Sequence, residues 1–171
     1  ILNSWGGYII DADKIGHLIL NSHKDEIVSM FGKNIISDDG SIGRAKLATI
    51  VFSDKKKLNK LNSFAHPKIL NYIESKIMAS RNKMIVVNAA VFKEMNLSKI
   101  VDFVILVIAR RDLRIKRLIR KGLSKEDAAM RIKCQMSDKE YKKIADYVIY
   151  NNGSINELKS KIKICIKPSL S

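Results

Sequence analysis

The sequence predicts an α/β fold built around a parallel sheet, and three observations predict it. Four short β-branched segments, 8–11, 84–92, 101–108 and 146–150, read as strands buried on both faces. Helix-like stretches lie between and after them, several opened by a Ser-x-x-acid pattern that caps a helix start. Roughly 60 residues separate the first strand from the second, far more than the roughly 10 to 15 of a simple crossover, so an inserted lobe is expected there.

The first strand, Tyr8-Ile9-Ile10-Asp11, runs straight into a second carboxylate at Asp13. The lobe, 23–83, shows an Asp39-Gly40 turn, an apolar–polar mix over 44–52 and a lysine-rich stretch at 55–60. His66-Pro67 then opens a helix whose Ile69, Ile73 and Ile77 share a face. After the second and third strands comes a basic, helical stretch, 110–143, interrupted at Lys121-Gly122-Leu123-Ser124. Ser124 with Asp127, Ser137 with Glu140 and Ser154 with Glu157 each predict a helix start. The last strand ends at Asn151, turns through Asn152-Gly153 and enters a helix with Ile155, Leu158, Ile162 and Ile166 on one face. Its tail, 161–167, also alternates with period two; the cap favours helix.

At 171 residues and 46% hydrophobic the chain has the size of one domain and enough apolar surface for a core. Its longest uninterrupted apolar run, 104–109, is far short of the roughly 20 residues a bilayer requires, and no secretory leader opens it. Cys134 and Cys165 have neither zinc nor disulfide-framework spacing, so reduced thiols and a cytoplasmic location are expected. With 32 Lys+Arg against 17 Asp+Glu the formal charge is +15. Such an excess invites a nucleic-acid reading, but the lysines are scattered and no aromatic or zinc recognition motif accompanies them. The local exception is 110–121, where Arg110, Arg111, Arg114, Lys116, Arg117, Arg120 and Lys121 stand against Asp112 alone. That density suits a mobile lid that binds phosphates.

Asp11 and Asp13 are the sharpest chemical feature. In open α/β sheets ligands bind beyond the carboxyl ends of the strands, so an acid there can deprotonate a hydroxyl or orient a metal. The plainer alternative for either residue is a helix N-cap. Asp13, just past the strand, is the better catalyst candidate.

These residues carry a resemblance. Tyr8-Ile9-Ile10-Asp11-Ala12-Asp13-Lys14-Ile15-Gly16-His17 resembles a strand motif of dephospho-coenzyme A kinases. Matches continue in order through Phe31-Gly32, Asp39-Gly40-Ser41-Ile42 with Arg44 and Leu47, Ile50-Val51-Phe52, Leu61-Asn62 and His66-Pro67. They resume at Arg117-Leu118 with Arg120, Gly122-Leu123-Ser124, Arg131-Ile132 with Gln135-Met136, Ala145-Asp146-Tyr147-Val148-Ile149 and Asn151-Asn152-Gly153-Ser154. The resemblance implies a P-loop NTPase-like fold with a helical substrate lobe and a lid. It also implies transfer of the γ-phosphoryl of ATP, with Mg2+, to the 3′-hydroxyl of dephospho-coenzyme A, giving coenzyme A and ADP. The nucleotide core would then be 1–22, 84–109 and 144–171, the dephospho-coenzyme A lobe 23–83 and the lid 110–143.

By the same resemblance Asp13 is the general base, and Arg117 and Arg131 are catalytic cations on the phosphates. Asp11, His17 and His66 would face the acceptor substrate; Arg120, Asn152 and Gly153 would face ATP; no residue is implied as a direct metal ligand. Arg114 stands where the family often has Gln. Plainer readings remain for each: a solvated helix face for a lid arginine, a structural histidine for His66, an ordinary turn at Asn151.

Two departures are visible. No Gly-x-x-x-x-Gly-Lys-Ser/Thr occurs, whereas the resemblance places that phosphate loop about 20 residues ahead of the strand at 8–11. The chain starts at Ile1, so the first strand, the phosphate loop and most of the first helix are expected to lie outside these residues, with 1–5 as that helix's tail. The 171 residues alone are then expected to phosphorylate poorly. Second, the family's Asp-x-Pro-Leu-Leu-Phe-Glu appears as Asn88-Ala89-Ala90-Val91-Phe92-Lys93-Glu94, and an Asn at 88 brings no negative charge to Mg2+. Asn88 motivates a second reading, an inactive paralogue that binds nucleotide or coenzyme A without turnover. A basic nucleic-acid-binding domain is the third and least supported.

Overall fold

The computed structural model describes residues 1–90, 92, 95–133 and 137–167. Glu94, Cys134, Gln135 and Met136 lie outside them. The chain forms two compact units, Ile1–Ile100 and the residues from Val101 onward.

In the first unit a short 3-10 turn, Asn3–Trp5, stands where the tail of a longer helix was expected. Strand β1, Tyr8–Asp11, keeps its predicted bounds and leads directly into α1, Ala12–Ser22. Helices α2, Lys24–Phe31, α3, Arg44–Phe52, and α4, Lys55–Ala79, follow, and then β2, Ile85–Asn88. β2 pairs with β1 in parallel, Tyr8 opposite Ile85 through Asp11 opposite Asn88. The predicted strand 84–92 is thus cut back at Asn88. Between α2 and α3 the Asp39-Gly40 turn forms as expected, closed by Gly40 N–H donating to Ser37 O at 2.9 Å and flanked by an Ile36–Ile42 bridge.

The largest correction concerns His66-Pro67. These residues do not open a helix; they lie inside α4, which begins twelve positions before Pro67, where Asp54 caps it by accepting from Lys56 N–H at 2.8 Å. A proline inside a helix removes a backbone donor and costs about 3 kcal/mol. Apolar contact on both sides offsets that cost here. Leu58, Leu61 and Phe64 pack on a cluster of Ile27, Ile35, Ile42, Leu47 and Val51, while Ala65, Ile69 and Ile73 join Ile10, Ile15 and Ile19 of β1 and α1. Helix α4 is therefore shared by two cores. Ile73 is fully buried in the second of them. We expect Ile73→Val to lower the unfolding free energy by about 1 kcal/mol, seen as an earlier urea midpoint at unchanged slope.

The second unit contains β3, Ile105–Ile108, helices α5, Arg111–Ile119, α6, Lys125–Lys133, and α7, Asp138–Lys142, then β4, Tyr147–Tyr150, and α8, Ile155–Ile166. β3 and β4 are parallel, Ile105 opposite Tyr147. Asp146 Oδ2 accepts from Val104 N–H at 2.7 Å and fixes the start of that pairing. The three predicted caps form. Ser137 with Glu140 and Ser154 with Glu157 make reciprocal capping boxes, and Ser124 Oγ accepts from Asp127 N–H at 3.0 Å.

Three expectations fail in this unit. The predicted strand 101–108 is cut back to Ile105–Ile108, within which Val107 is exposed. β4 is not buried on both faces: Ile149 is buried between exposed Val148 and Tyr150, the alternation of a strand covered on one side. Ile155 does not share the inner face of α8. It is 58% exposed, and Leu158, Ile162, Cys165 and Ile166 face inward instead.

Candidate functional site

In the first unit β1 and β2 end side by side, with Asp11 opposite Asn88. Asp11 is both the last residue of β1 and the N-cap of α1. Its Oδ1 accepts from the backbone N–H groups of Asp13 and Lys14, each at 3.1 Å, satisfying amides that a helix start leaves unpaired. One carboxylate oxygen of Asp11 is thereby committed to structure. Asp13 sits exposed in the first turn of α1, where the helix dipole favours an acid, and its side chain has no bond or ion pair among the described residues. Asn88 is exposed at the tip of β2.

His17 lies one turn after Asp13, half-buried, and its Nδ1 accepts from Arg44 Nε at 2.8 Å. Asn21, a further turn along, accepts Ile42 N–H at 2.9 Å. Asp13, His17 and Asn21 therefore share one face of α1, opposite Ala12, Ile15 and Ile19, which are buried in the core. His66 is half-buried in the middle of α4.

In the second unit the structure sorts the arginines that the sequence presents as one cluster. Arg110 pairs with Asp112 at 3.4 Å, and its backbone N–H donates to Asn152 Oδ1 at 2.9 Å. Arg114 donates to Asp138 at 2.8 Å, joining α5 to α7. Arg117 Nη2 donates to the carbonyl of Asn151 at 2.9 Å. Arg120, at the end of α5, and Arg131, in the last turn of α6, are exposed and carry no partner among the described residues. The turn 151–153 thus hangs from α5 at two points, and Asn151 N–H donates to Ile108 O at 2.7 Å. Gly153 precedes the Ser154 cap; a Cβ there would run into the Glu157 carboxylate of the capping box.

Few groups are electrostatically unusual. The Ser41 hydroxyl and amide hold the Asp39 carboxyl below its ordinary range, and the Tyr150 hydroxyl raises the Lys142 ammonium. Burial pushes the Cys165 thiol up, so this free cysteine is a poor nucleophile. Among the described residues no three His, Cys, Asp or Glu side chains converge on a metal position. A hollow of about 390 Å³ on α5 and α6, lined by Arg111, Glu126, Ala129, Met130, Ile132 and Lys133, contains none of the predicted site residues.

Sequence reasoning gives no role to Arg44, Asn21 or Asp138. Arg44 lies in a matched motif, but its partner is 27 positions away, and no spacing rule connects them.

The family model for dephospho-CoA kinase matches residues 1–157. A dephospho-CoA kinase of Carboxydothermus hydrogenoformans is 40% identical over 169 residues, covering 95% of this chain and 82% of that protein. One of Aquifex aeolicus is 39% identical, covering 92% and 83%. The fold is similar to a crystal structure from Thermus thermophilus, with TM-score 0.86 and 25% identity over 99% of this chain and 88% of that one. It is also similar to the dephospho-CoA kinase of Campylobacter jejuni, with TM-score 0.67 and 30% identity over 98% and 87%.

Proposed function

The chain belongs to the dephospho-CoA kinase family, and from that premise we propose that it transfers the γ-phosphoryl of ATP to the 3′-hydroxyl of dephospho-CoA, releasing ADP and CoA. The observation that carries the assignment of residues is Asp13: an exposed carboxylate without a partner among the described residues, one helical step beyond a parallel strand end. Asp13 takes the proton of the ribose hydroxyl as that oxygen attacks phosphorus, and ADP leaves with the electron pair of the broken P–O bond. His17, on the same helix face, and His66, on α4, belong to the acceptor side. Asp11 serves mainly to start α1.

Most of the barrier to phosphoryl transfer is lowered by positioning and charge stabilisation. Arg120 and Arg131 have guanidinium groups available for phosphate oxygens. Arg117 is spent on the Asn151 carbonyl, so we assign it to holding the nucleotide-base turn that carries Asn152 and Gly153. We expect Arg117→Ala to raise KM for ATP about tenfold, the loss of one hydrogen bond to a charged donor, with a much smaller change in kcat, measured by initial rates at varied ATP.

The magnesium that accompanies ATP supplies positive charge on the phosphates. Asn88 Oδ1 and the Asp11 oxygen not used in the cap are the protein oxygens at the paired strand ends that would hold its waters. The division into lobe 23–83, lid 110–143 and nucleotide core 1–22, 84–109 and 144–171 belongs to the same proposal. It is supported by the separate cluster of Ile27, Ile35, Ile42, Leu47 and Val51, which lies wholly within 23–83. Among the described residues no helix is long and apolar enough to cross a membrane. The cytoplasmic location is part of the same proposal and rests on reading Cys134 and Cys165 as reduced thiols.

The test is ADP release by the protein expressed from its own gene. ADP formation that requires dephospho-CoA, with CoA as co-product, is the expected result. Binding of both ligands without turnover would overturn the kinase assignment.

A further inference from the structure

The segment 42–44 meets the polar face of α1 at Asn21 and is tied on its other side to the carbonyls of residues 35 and 36. Asn21 accepts Ile42 N–H, Gly43 N–H donates to Ile35 O at 2.7 Å, and Lys46 Nζ donates to Ile36 O at 2.7 Å. A Cβ on Gly43 would come within 2.6 Å of Ser37 Oγ and 3.1 Å of Ile35 O, so a larger residue there would have to turn the Ser37 side chain and push the backbone at Ile35 aside by a few tenths of an ångström. Arg44 is thus delivered from a fixed backbone, and no carboxylate pairs with it among the described residues. A guanidinium carries donors and no acceptor. Its Nε–H can be received only by an unprotonated ring nitrogen, which leaves the proton of a neutral imidazole on Nε2.

We propose that Arg44 is a positioning residue of the acceptor site: by donating to His17 Nδ1 it fixes His17 as the Nε2–H tautomer, so that the ring presents a hydrogen-bond donor to dephospho-CoA one turn along α1 from Asp13. The proposal rests on the reading that the acceptor substrate lies on this face of α1. The chemistry fits an acceptor rich in hydroxyl and phosphate oxygens, which need donors. It also protects the base. A charged imidazolium four residues from Asp13, with Lys14 between them in sequence, would be drawn to the carboxylate as an i,i+4 pair and compete with the ribose hydroxyl for it. Arg44 against Nδ1 leaves no room for that second ring proton.

Ring-nitrogen NMR of the protein without ligand tests the lock directly. His17 should show an unprotonated Nδ1 and a protonated Nε2. Arg44→Ala should give a tautomer mixture, whereas Arg44→Gln, whose side-chain amide places a neutral donor near the position of Nε, should restore the single tautomer. A protonated Nδ1 in the unsubstituted protein, or an Arg44→Ala spectrum with His17 unchanged, overturns the proposal. Dephospho-CoA affinity supplies the second arm. Arg44→Ala should weaken it about tenfold, the scale of one charge-assisted hydrogen bond, and should have no further effect in a His17→Phe background. An equal loss in that background would mean that Arg44 touches the ligand itself and would refute a role through His17. If the tautomer is as stated but dephospho-CoA leaves the α1 amide resonances unmoved, the failure lies in the placement of the acceptor, and the role in binding falls with it.

Discussion

Asp13→Asn is expected to lower kcat about 10³-fold, within the range that general base catalysis contributes, while KM for ATP and the thermal midpoint stay close to those of the unsubstituted protein. The expectation follows from what Asp13 does not do. Its side chain makes no bond that holds the fold among the described residues; the cap that starts α1 is made by Asp11. Asn is nearly the same shape and can still hydrogen-bond the ribose hydroxyl, so substrate placement survives and only proton acceptance and charge are lost. Asp11 should separate cleanly by readout. Asp11→Ala removes the N-cap and costs about 1 kcal/mol of stability, whereas Asp11→Asn preserves it, because Asn caps as well as Asp. Steady-state rates and thermal unfolding of the three variants check the contrast. Turnover by Asp13→Asn within a few-fold of the unsubstituted enzyme would remove Asp13 as the base.

What could be read in the sequence was what local chemistry encodes. The bounds of β1 and the capping boxes at Ser137 and Ser154 follow from residue types within four positions of one another. The course of α4 through Pro67 did not, because the rule that proline breaks helices is local, and the packing of Ala65, Ile69 and Ile73 that overrides it is not. The paired carboxylates at the end of β1 were visible, and the position of Asp13 past the strand already made it the better base, yet either could have capped the helix. It took the 3.1 Å bonds to Asp11 Oδ1 to show which one starts the helix. Likewise seven basic residues in 110–121 look alike as letters. Their differences come from partners distant in sequence: Asp138 for Arg114, Asn151 for Arg117, and none among the described residues for Arg120.

Arg131 carries the other large expectation. It is exposed in the last turn of α6, and two roles are compatible with that position. A cation there interacts favourably with the negative end of the helix dipole, which is worth about 0.3–1 kcal/mol and would appear only as stability. A guanidinium placed on the transferring phosphoryl group stabilises charge that develops in the transition state, and such arginines contribute about 10³ or more to kcat. The two predict opposite patterns. If Arg131 acts on phosphate, Arg131→Ala lowers kcat about 10³-fold with little change in unfolding. Arg131→Lys then recovers only part of the loss, since an ammonium keeps the charge but not the planar pair of donors that fits two phosphate oxygens. If it serves the helix alone, Lys replaces Arg fully and Ala costs a fraction of a kcal/mol with kcat intact. Arg120→Ala is the natural companion, because its guanidinium is as exposed but sits at the end of α5, and the assignment to ATP binding predicts a rise in KM rather than a fall in kcat. Single-turnover rates at varied ATP up to saturation, beside thermal midpoints for the same four proteins, decide between the roles, and a saturating rate for Arg131→Ala within a few-fold of the unsubstituted enzyme would return Arg131 to the helix.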